Sequence, residues 1–410
     1  MVPSGIASRR RDGLSSISAL PRAKAELMAM LGCAVLIAGC ETTPRASEPT
    51  SANTHPATIG ASALAPTPSS SPSPSPSPVP PPVWSQQQLP GNQVAGAMIV
   101  LDGFLYSQPN EVVTSTGIPA PTSVLRLDPG TGRTLASSIP LDPGQLAVSG
   151  NALWLASQTT SSVTSSTTAT LYRLDPESLT VSLRIALPTS NQATTPSIAG
   201  TTDGSLWVAS GTALSRFDSE SGALRDRITV AGELNDISLS GSRLFDSLQE
   251  PSGLVVVEQR DAASGRLQAR RDLPSAIAGA QVVGSSTGVW VSYRGGMMGS
   301  TFLLEAGTLA DGPVPSGAGS RDSDSNLYGG MMGSWATIDG GVLWITRIGH
   351  FTCADPRTGA VRATETLTKT TGIAALVVLG HELLAIAQNG NGSSSTTIDV
   401  ITPPSACWGP

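Results

Sequence analysis

Residues Pro196 to Gly222 contain the clearest structural pattern in the sequence. This stretch opens with Pro196-Ser-Ile-Ala-Gly-Thr-Thr-Asp-Gly-Ser-Leu-Trp-Val-Ala-Ser210 and closes with Arg216-Phe-Asp-Ser-Glu-Ser-Gly222. Short apolar runs alternate here with Gly, Asp and Ser, which is typical of β-strands joined by tight turns. In a strand, neighbouring side chains point to opposite faces, so a Leu-Trp-Val run can bury apolar area on both sides. The stretch therefore predicts an all-β unit that is packed between two neighbours.

The same unit recurs throughout residues 83–410. Seven segments share its Leu-Trp strand: Phe104-Leu105-Tyr106, Leu153-Trp154-Leu155, Leu206-Trp207-Val208, Leu244-Phe245, Val289-Trp290-Val291, Leu343-Trp344-Ile345 and Leu383-Leu384. The 328 residues divided by seven give about 47 residues each, and four short strands in about 40 to 50 residues are typical of a β-propeller blade. The repeat predicts a seven-bladed β-propeller, with six or eight blades also open. We expect Trp154, Trp207, Trp290 and Trp344 to lie in the core between blades.

A recurrent type of turn follows the third predicted strand of most units. Six segments carry it: Asp128-Pro-Gly-Thr-Gly132, Asp175-Pro-Glu-Ser, Asp218-Ser-Glu-Ser-Gly222, Asp261-Ala-Ala-Ser-Gly265, Glu305-Ala-Gly-Thr and Asp355-Pro-Arg-Thr-Gly359. An Asp side chain accepts backbone N–H groups in such turns, and Gly adopts positive φ. We therefore interpret these acidic residues as hairpin turns rather than as catalytic carboxylates.

These repeats resemble those of streptogramin lyase and of related PQQ-like and YVTN-type bacterial propellers. The resemblance spans most of residues 93–400 and implies the propeller fold. In the lyase family it also implies an enzyme that uses a His and a Glu with Mg²⁺. Here only His350 lies on a plausible face, and no Glu stands in an equivalent motif. A lyase-like or other propeller enzyme is therefore the alternative, and a non-catalytic protein is the main expectation.

The two ends of the repeat region are expected to close the ring together. The last unit has candidates for three strands, at 374–379, 382–388 and 396–401, and only Cys407 to Pro410 remain for a fourth. The segment Val83-Trp-Ser-Gln-Gln-Gln-Leu-Pro90 precedes the first unit as an outer strand would. We predict that residues 83–90 supply the outer strand of the seventh blade.

Residues 1–39 have the features of a bacterial lipoprotein signal peptide. A basic stretch ends at Lys24, and the apolar run from Leu27 to Gly39 is too short to cross a bilayer of about 30 Å. The run ends in Leu36-Ile-Ala-Gly-Cys40, which resembles the lipobox of bacterial lipoproteins. The resemblance implies that Cys40 is lipidated and anchors the chain on the extracytoplasmic face of a cell membrane. An ordinary signal peptide, cleavage before Cys33 and twin-arginine export remain alternatives.

Residues 40–82 are predicted to comprise the lipidated cysteine and a disordered linker rich in Pro and Ser. Between Glu41 and Pro82 the chain has 12 prolines and 9 serines in 42 residues. Such a segment buries too little apolar surface to fold and extends toward polyproline II. Folding is therefore expected in residues 83–410.

The composition limits the classes of partner. Only 13% of residues are charged, and 43 Gly with 32 Pro argue against a coiled coil or helical bundle. The net charge is −6 and becomes −9 without residues 1–39, which hold five bases and two acids. An acidic chain is a poor candidate for nucleic-acid binding. We expect a protein, peptide or glycan partner.

Two cysteines remain in the folded region, Cys353 and Cys407. The repeat alignment places both near the third-to-fourth strand turns of neighbouring blades. In an exported protein we expect them to form a disulfide. Two buried thiols are the alternative.

Few residues in the folded region offer chemistry. The sequence contains no nucleotide-binding, serine-hydrolase or metalloprotease motif and no CxxC pair, so no cofactor or metal is expected. His350 falls in a second-to-third strand loop and is the one weak catalytic candidate. His381 falls in a first-to-second strand turn. The two histidines should therefore lie on opposite faces of the ring.

Two identical hexapeptides mark a candidate binding patch. They are Gly295-Gly-Met-Met-Gly-Ser300 and Gly329-Gly-Met-Met-Gly-Ser334, and both should emerge on one face of adjacent blades. The patch consists of Arg294, Met297, Met298, Tyr328, Met331, Met332 and His350. Flexible methionines suit adaptable apolar binding, and thioethers beside an imidazole suit Cu(I). The other interpretation is that the methionines only pack against the channel or neighbouring loops.

Long Ser/Thr-rich loops are expected on the same face, at 107–123 and 157–170. Loops on a rigid scaffold commonly carry binding. Together these features predict an exported, lipid-anchored β-propeller that acts as a non-catalytic binding or scaffold module at the cell envelope. The sequence leaves the ligand open.

Overall fold

The structure is a computed structural model, and it describes residues 86–88, 93–112, 119–160, 167–189, 195–273, 278–295, 298–312, 335–347, 350–367, 370–389 and 396–409. Nearly all regular structure in these ranges is β-strand. The exception is one 3-10 helix, η1 (Ser405–Trp408). None of the described residues form a helix that is long and apolar enough to span a bilayer. The predicted all-β fold is confirmed.

The strands form seven antiparallel sheets, which are the blades. Blades 1 and 2 contain β2 (Gln93–Leu101), β3 (Phe104–Val112), β4 (Pro119–Ala120), β5 (Thr122–Leu127), β6 (Thr134–Leu141), β7 (Gly144–Ser149), β8 (Ala152–Thr160), β9 (Thr167–Leu174) and β10 (Val181–Leu187). Blades 3 and 4 contain β11 (Ser197–Gly200), β12 (Ser205–Ser210), β13 (Ala213–Asp218), β14 (Leu224–Thr229), β15 (Glu233–Ser240), β16 (Arg243–Gln249), β17 (Val255–Asp261) and β18 (Leu267–Asp272).

The remaining strands form blades 5 to 7. They are β19 (Ala278–Gly284), β20 (Gly288–Gly295), β21 (Met298–Glu305), β22 (Trp335–Asp339), β23 (Val342–Arg347), β24 (His350–Ala354), β25 (Val361–Thr366), β26 (Thr370–Leu379), β27 (Glu382–Asn389), β28 (Thr396–Ile401) and β1 (Gln86–Gln88). Within the described ranges, blade 5 has three strands and every other blade has at least four.

The first strands of the blades surround the central channel. Each packs against the first strands of the two neighbouring blades, in the closed cycle β2, β7, β11, β15, β19, β22, β26 and again β2. The cycle contains seven members, so the prediction of seven blades is confirmed.

Burial changes from the inside of a blade to its outside. All six residues of β12, a second strand, are buried, whereas most residues of β14, the fourth strand of the same blade, are exposed. Second strands are covered on both faces by adjacent blades, which explains their Leu-Trp pattern. The four tryptophans expected between blades each have 0% exposed area. For example, Trp207 of blade 3 packs against Leu244 and Val256 of blade 4.

The acidic turns are built as the sequence predicts. In blade 3 the Asp218 carboxylate accepts the N–H of Ser221 at 2.8 Å, and the Asp218 carbonyl accepts the N–H of Gly222. Gly222 has a φ of 71°. The backbone N–H and hydroxyl of Ser221 hold the pKa of Asp218 well below its ordinary range. These contacts identify a structural role for the carboxylate.

Two turns close with leucine where their counterparts close with glycine. Leu179 of blade 2 and Leu309 of blade 5 have φ values of 58° and 53°, in the left-handed region. Their side chains are almost fully buried in the clusters between blades. Burial of the leucine side chain offsets the backbone strain, which is about 1 to 2 kcal/mol.

Both ends of the folded region close the ring at blade 7. Strand β1 pairs antiparallel with β28, so that Gln86 lies opposite Asp399 and Gln88 opposite Thr397. Residues 86–88 thus form the outer strand of blade 7, as expected. At the C-terminus, a disulfide links Cys407 of η1 to Cys353 of β24, and their Cα atoms are 5.5 Å apart. Both cysteines are fully buried.

Candidate functional site

The alternation of strands gives the ring two different faces. The hairpins between second and third strands open on one face, together with the connections from one blade to the next. We call this the hairpin face. The turns between first and second strands, and between third and fourth strands, open on the opposite face, which we call the turn face.

The hairpin face is uneven around the ring. Nine residues separate β3 from β5 in blade 1, and six residues separate the corresponding strands in blades 2 and 7. In blade 3 only Gly211 and Thr212 lie between β12 and β13, and two residues do so in blades 5 and 6. Blade 7 adjoins blade 1, so the three long hairpins are neighbours. They form one contiguous sector of the hairpin face.

The hairpin of blade 2 is dominated by hydroxyl side chains. Of the 14 residues from 157 to 170, 11 are Ser or Thr and none is charged. Thr159 lies opposite Thr168, and Thr160 lies opposite Thr167. Thr159 is exposed and donates its hydroxyl to the Asp142 carboxylate. This arm presents neutral hydrogen-bonding groups.

The expectation of loops at 107–123 and 157–170 is wrong over much of each range. Strand β3 continues to Val112 and β8 to Thr160, while β9 begins at Thr167. The cause is cross-strand pairing, since Glu111 still pairs with Gln93 in β2. The long segments are therefore arms of β-hairpins, and 113–118 and 161–166 lie outside the described residues.

The structure describes part of the predicted methionine patch. Arg294 lies on β20 and Met298 begins β21, and the Gly295–Met298 pair closes the hairpin of blade 5 on the hairpin face. The second hexapeptide precedes β22 of the adjacent blade in the sequence. Met297, Tyr328, Met331 and Met332 lie outside the described residues. The patch as a whole stays a prediction.

His350 lies on the hairpin face, as expected. It is the first residue of β24, the third strand of blade 6, and is half-buried. Its Nδ1 atom is 3.2 Å from the Thr366 hydroxyl on the outer strand β25. This contact directs the imidazole outward from the channel.

His381 lies on the turn face, between β26 and β27. Its ring stands edge-on to Trp408, with centroids 5.1 Å apart. The two histidines therefore belong to opposite faces. Across the described ranges, no three His, Cys, Asp or Glu side chains are grouped as metal ligands would be.

Polar side chains that the sequence analysis missed join neighbouring blades at the channel. The first strand of a blade has no strand partner on its channel side, so its N–H groups need other acceptors. Among the described residues, side-chain oxygens of the preceding blade accept four such N–H groups, at 2.7 to 3.1 Å. The N–H of Ile237 donates to Ser197, that of Val282 to Asp236, that of Gly284 to Ser238 and that of Val378 to Asp339. These bonds fix the inner ring.

Asp236 has a second role in this inner ring. It also accepts the Ser197 hydroxyl at 2.7 Å and so connects blade 4 to both of its neighbours. Burial raises the pKa of Asp236 to about 6, although the bonds from Ser197 and Val282 oppose the change. Burial likewise raises the pKa of Asp339.

Blade 4 contains a buried ionic cluster that the sequence analysis also missed. Asp246 of β16 and Glu258 of β17 are directly paired residues, and their side chains are 0% and 5% exposed. Arg260 donates from Nε to Asp246 at 2.8 Å and from Nη2 to Glu258. Burial raises the pKa of Asp246 to about 7, with Arg260 opposing and Glu258 reinforcing the shift.

The repeat itself carries a signal for this cluster. Relative to the aromatic anchor, Asp246 occupies the position of Leu155, Val208, Val291 and Ile345 in other blades. Relative to the turn acid, Arg260 occupies the position of Leu127, Leu174, Phe217 and Leu304. Charges at two core positions of a single repeat would have identified the cluster.

Comparison with known proteins supports the architecture. The sequence matches no protein-family model and none of the curated proteins. Among solved structures, the chain is similar to Kuenenia stuttgartiensis hydrazine synthase, with 15% identity and a TM-score of 0.54 over 76% of this chain and 96% of that one. It is similar to U3-55K, with 12% identity and a TM-score of 0.55 over 78% and 99%.

A third similar structure is the WD40 domain of Toxoplasma gondii coronin, with 12% identity and a TM-score of 0.50 over 78% of this chain and 85% of that one. At such identities the likeness concerns the fold alone. The closed cycle of first strands and these neighbours together show that the described residues between 86 and 409 form a seven-bladed β-propeller.

Proposed function

We propose that this protein is an exported, lipid-anchored propeller that binds an extracytoplasmic partner through its hairpin face without catalysing a reaction. The anchor is Cys40, and residues 41–82 are the tether. The partner is a protein, peptide or glycan. The hairpin sector of blades 7, 1 and 2 and the methionine pairs of residues 297–298 and 331–332 are the surfaces offered to it.

The observation that carries this proposal is the direction of β1. Strand β28 runs from the hairpin face to the turn face, and β1 is antiparallel to it. The chain therefore enters Gln86 from the turn face. Attachment at the turn face leaves the hairpins of the opposite face available to a partner.

The positions of the histidines support a binding role over an enzymatic one. His350 contacts Thr366 on the outer strand, and His381 packs against Trp408 on the opposite face. They lie on opposite faces of the ring. This arrangement favours binding through the surface of the ring over acid–base catalysis by the two histidines.

A crosslinking experiment in cells tests the proposal. A photoreactive amino acid at Thr168, exposed on the hairpin face, should yield adducts with a partner. The matched control is Glu220, which is exposed in a turn on the opposite face. Adducts from Glu220 and none from Thr168 would contradict the choice of face.

The anchor is tested separately. A Cys40→Ser variant should leave the membrane fraction and lose incorporation of labelled fatty acid, whereas Cys33→Ser should retain both. Continued fatty-acid labelling of the Cys40→Ser variant would refute the assignment of Cys40.

A further inference from the structure

We propose that Asp246 and Glu258 form a carboxyl pair that binds one proton within blade 4, on the side facing blade 3, and that this proton strengthens the junction of the two blades as the pH falls. This pH response belongs to the propeller scaffold and does not depend on the proposed function.

The positive groups around Asp246 and Glu258 are too few to neutralise both carboxylates. Asp246 and Glu258 share one guanidinium, that of Arg260. Arg270 approaches Glu258 at 3.7 Å, but it lies closer to Glu250, at 2.6 Å, and to Asp272, at 3.3 Å. Four carboxylates thus face two guanidiniums within blade 4.

The elements packed against the pair do not supply the missing charge. On blade 3, Arg216 is paired with Asp203 at 3.3 Å and with Asp226 at 3.7 Å. On the first strand of blade 4, the residue opposite Asp246 is the apolar Ile237. The carboxylate of Asp236 on that strand is bonded to Val282 of blade 5. The remaining charge on the strand is Glu233, another acid.

One oxygen of the pair is left for a proton. Asp246 Oδ2 accepts from Arg260, while the buried Oδ1 atom has no hydrogen-bond partner among the described residues. Leaving a buried charged oxygen unpaired is costly. A proton held between the Asp246 and Glu258 carboxyls removes one negative charge and satisfies that oxygen. The raised pKa of Asp246, about 7, agrees with this geometry.

The direction of the pH effect follows from linkage. An unfolded chain ionises its Asp side chains near a pKa of about 3.9, whereas the folded chain keeps the proton up to a pKa of about 7. Between these values the folded state binds the extra proton. Stability therefore falls as the pH rises from about 4 to about 7 and is unaffected by this pair at higher pH.

Unfolding of the full chain by denaturant, measured from about pH 5 to about pH 8.5, tests the proposal. In the wild type the folding equilibrium constant should fall with rising pH and then level off. The buried Asp236 and Asp339 contribute to this fall, and the Asp246–Glu258 pair contributes up to about tenfold per pH unit until about pH 7. Asp246→Asn is isosteric and neutral, keeps an oxygen for Arg260, and should remove this part of the dependence. Asp236→Asn is the control: it should lose the contribution of Asp236 below about pH 6 and retain the fall between about pH 6 and about pH 7, because it leaves the Asp246–Glu258 pair intact.

An infrared measurement keeps the test independent of folding yield. In the Asp236→Asn background, falling pH should produce a carbonyl stretch of a buried carboxylic acid near pH 7, and adding either Asp246→Asn or Glu258→Gln should reduce that band. An unchanged pH dependence in Asp246→Asn would overturn the proposal. So would an acid band in Asp236→Asn that neither Asp246→Asn nor Glu258→Gln reduces.

Discussion

The two faces of the ring follow different rules. On the turn face, five blades use the same Asp-initiated turn, in which the carboxylate accepts backbone N–H groups two or three residues later. On the hairpin face, the corresponding connections range from two residues in blade 3 to nine in blade 1. We infer from this difference that the turns hold the blades in register, while the hairpins can vary in length without altering the ring.

The largest expected effect is on the turn face, at the disulfide. Replacing both Cys353 and Cys407 by Ala releases a loop with a sequence separation of 54. The chain-entropy relation assigns about 4 kcal/mol to a crosslink of this length. We expect the free energy of unfolding to fall by about that amount in a denaturant titration. Wild-type protein that is unfolded and reduced, and then refolded without reoxidation, should have the same free energy of unfolding as the variant. Equal stability of the oxidised wild type and the variant would contradict the prediction.

A smaller effect is expected from filling the space at a turn glycine. Gly265 has a φ of 69°, and a Cβ there would lie 2.9 Å from Trp207 Cη2 and overlap Ile228. Gly265→Ala should cost about 2 to 4 kcal/mol, from left-handed strain and overpacking together. Thermal unfolding would measure it.

Gly241→Ala is the matched control for this change. Gly241 has a φ of 58° on the same face, but nothing lies within 4 Å of the position that an alanine Cβ would take there. Only the backbone strain applies, about 1 to 2 kcal/mol. If both substitutions cost the same, contact between the turn and the neighbouring blade contributes nothing.

A third comparison isolates one hydrogen bond between blades. Trp207 Nε1 donates to the Ala262 carbonyl in the turn of blade 4 at 3.0 Å, whereas the buried Nε1 of Trp154 has no partner among the described residues. Trp207→Phe and Trp154→Phe remove similar volumes. We expect Trp207→Phe to be the more destabilising by about 1 kcal/mol. A larger loss for Trp154→Phe in denaturant unfolding would contradict this assignment.

The fold was predictable from the repeat because local sequence patterns specify the strands and turns of each blade. The Leu-Trp strands, the Asp-to-Gly turns and the spacing of about 47 residues each follow from side-chain alternation and turn chemistry. Closure by Gln86–Gln88 was predictable for the same reason, since the last repeat lacked a strand. Leu179 and Leu309 were harder to foresee, because their left-handed backbone is stabilised by burial against another blade.

The candidate site was predictable only in part. His350 and the first methionine hairpin fall on the expected face because topology alone fixes it. The bonding of His350 to Thr366 and the sharing of Arg260 by Asp246 and Glu258 depend on cross-strand register, which a repeat pattern does not specify. The repeat imposes no rule on side chains in the variable hairpins, so the sequence does not specify what these hairpins would bind.

The smallest effect on stability is expected on the hairpin face. Residues 161–166 connect the paired Thr160 and Thr167, and a two-residue Asn-Gly turn suits a hairpin at that register. Loop length changes stability only weakly, so replacement of 161–166 by Asn-Gly should alter the free energy of unfolding by less than about 1 kcal/mol. The same variant should lose the crosslinks formed from position 168, because the arm that meets the partner is shortened. Retained crosslinks would move the binding surface to the methionine hairpin of blade 5, whereas strong destabilisation would show that this arm belongs to the scaffold and that the two faces are not divided as described.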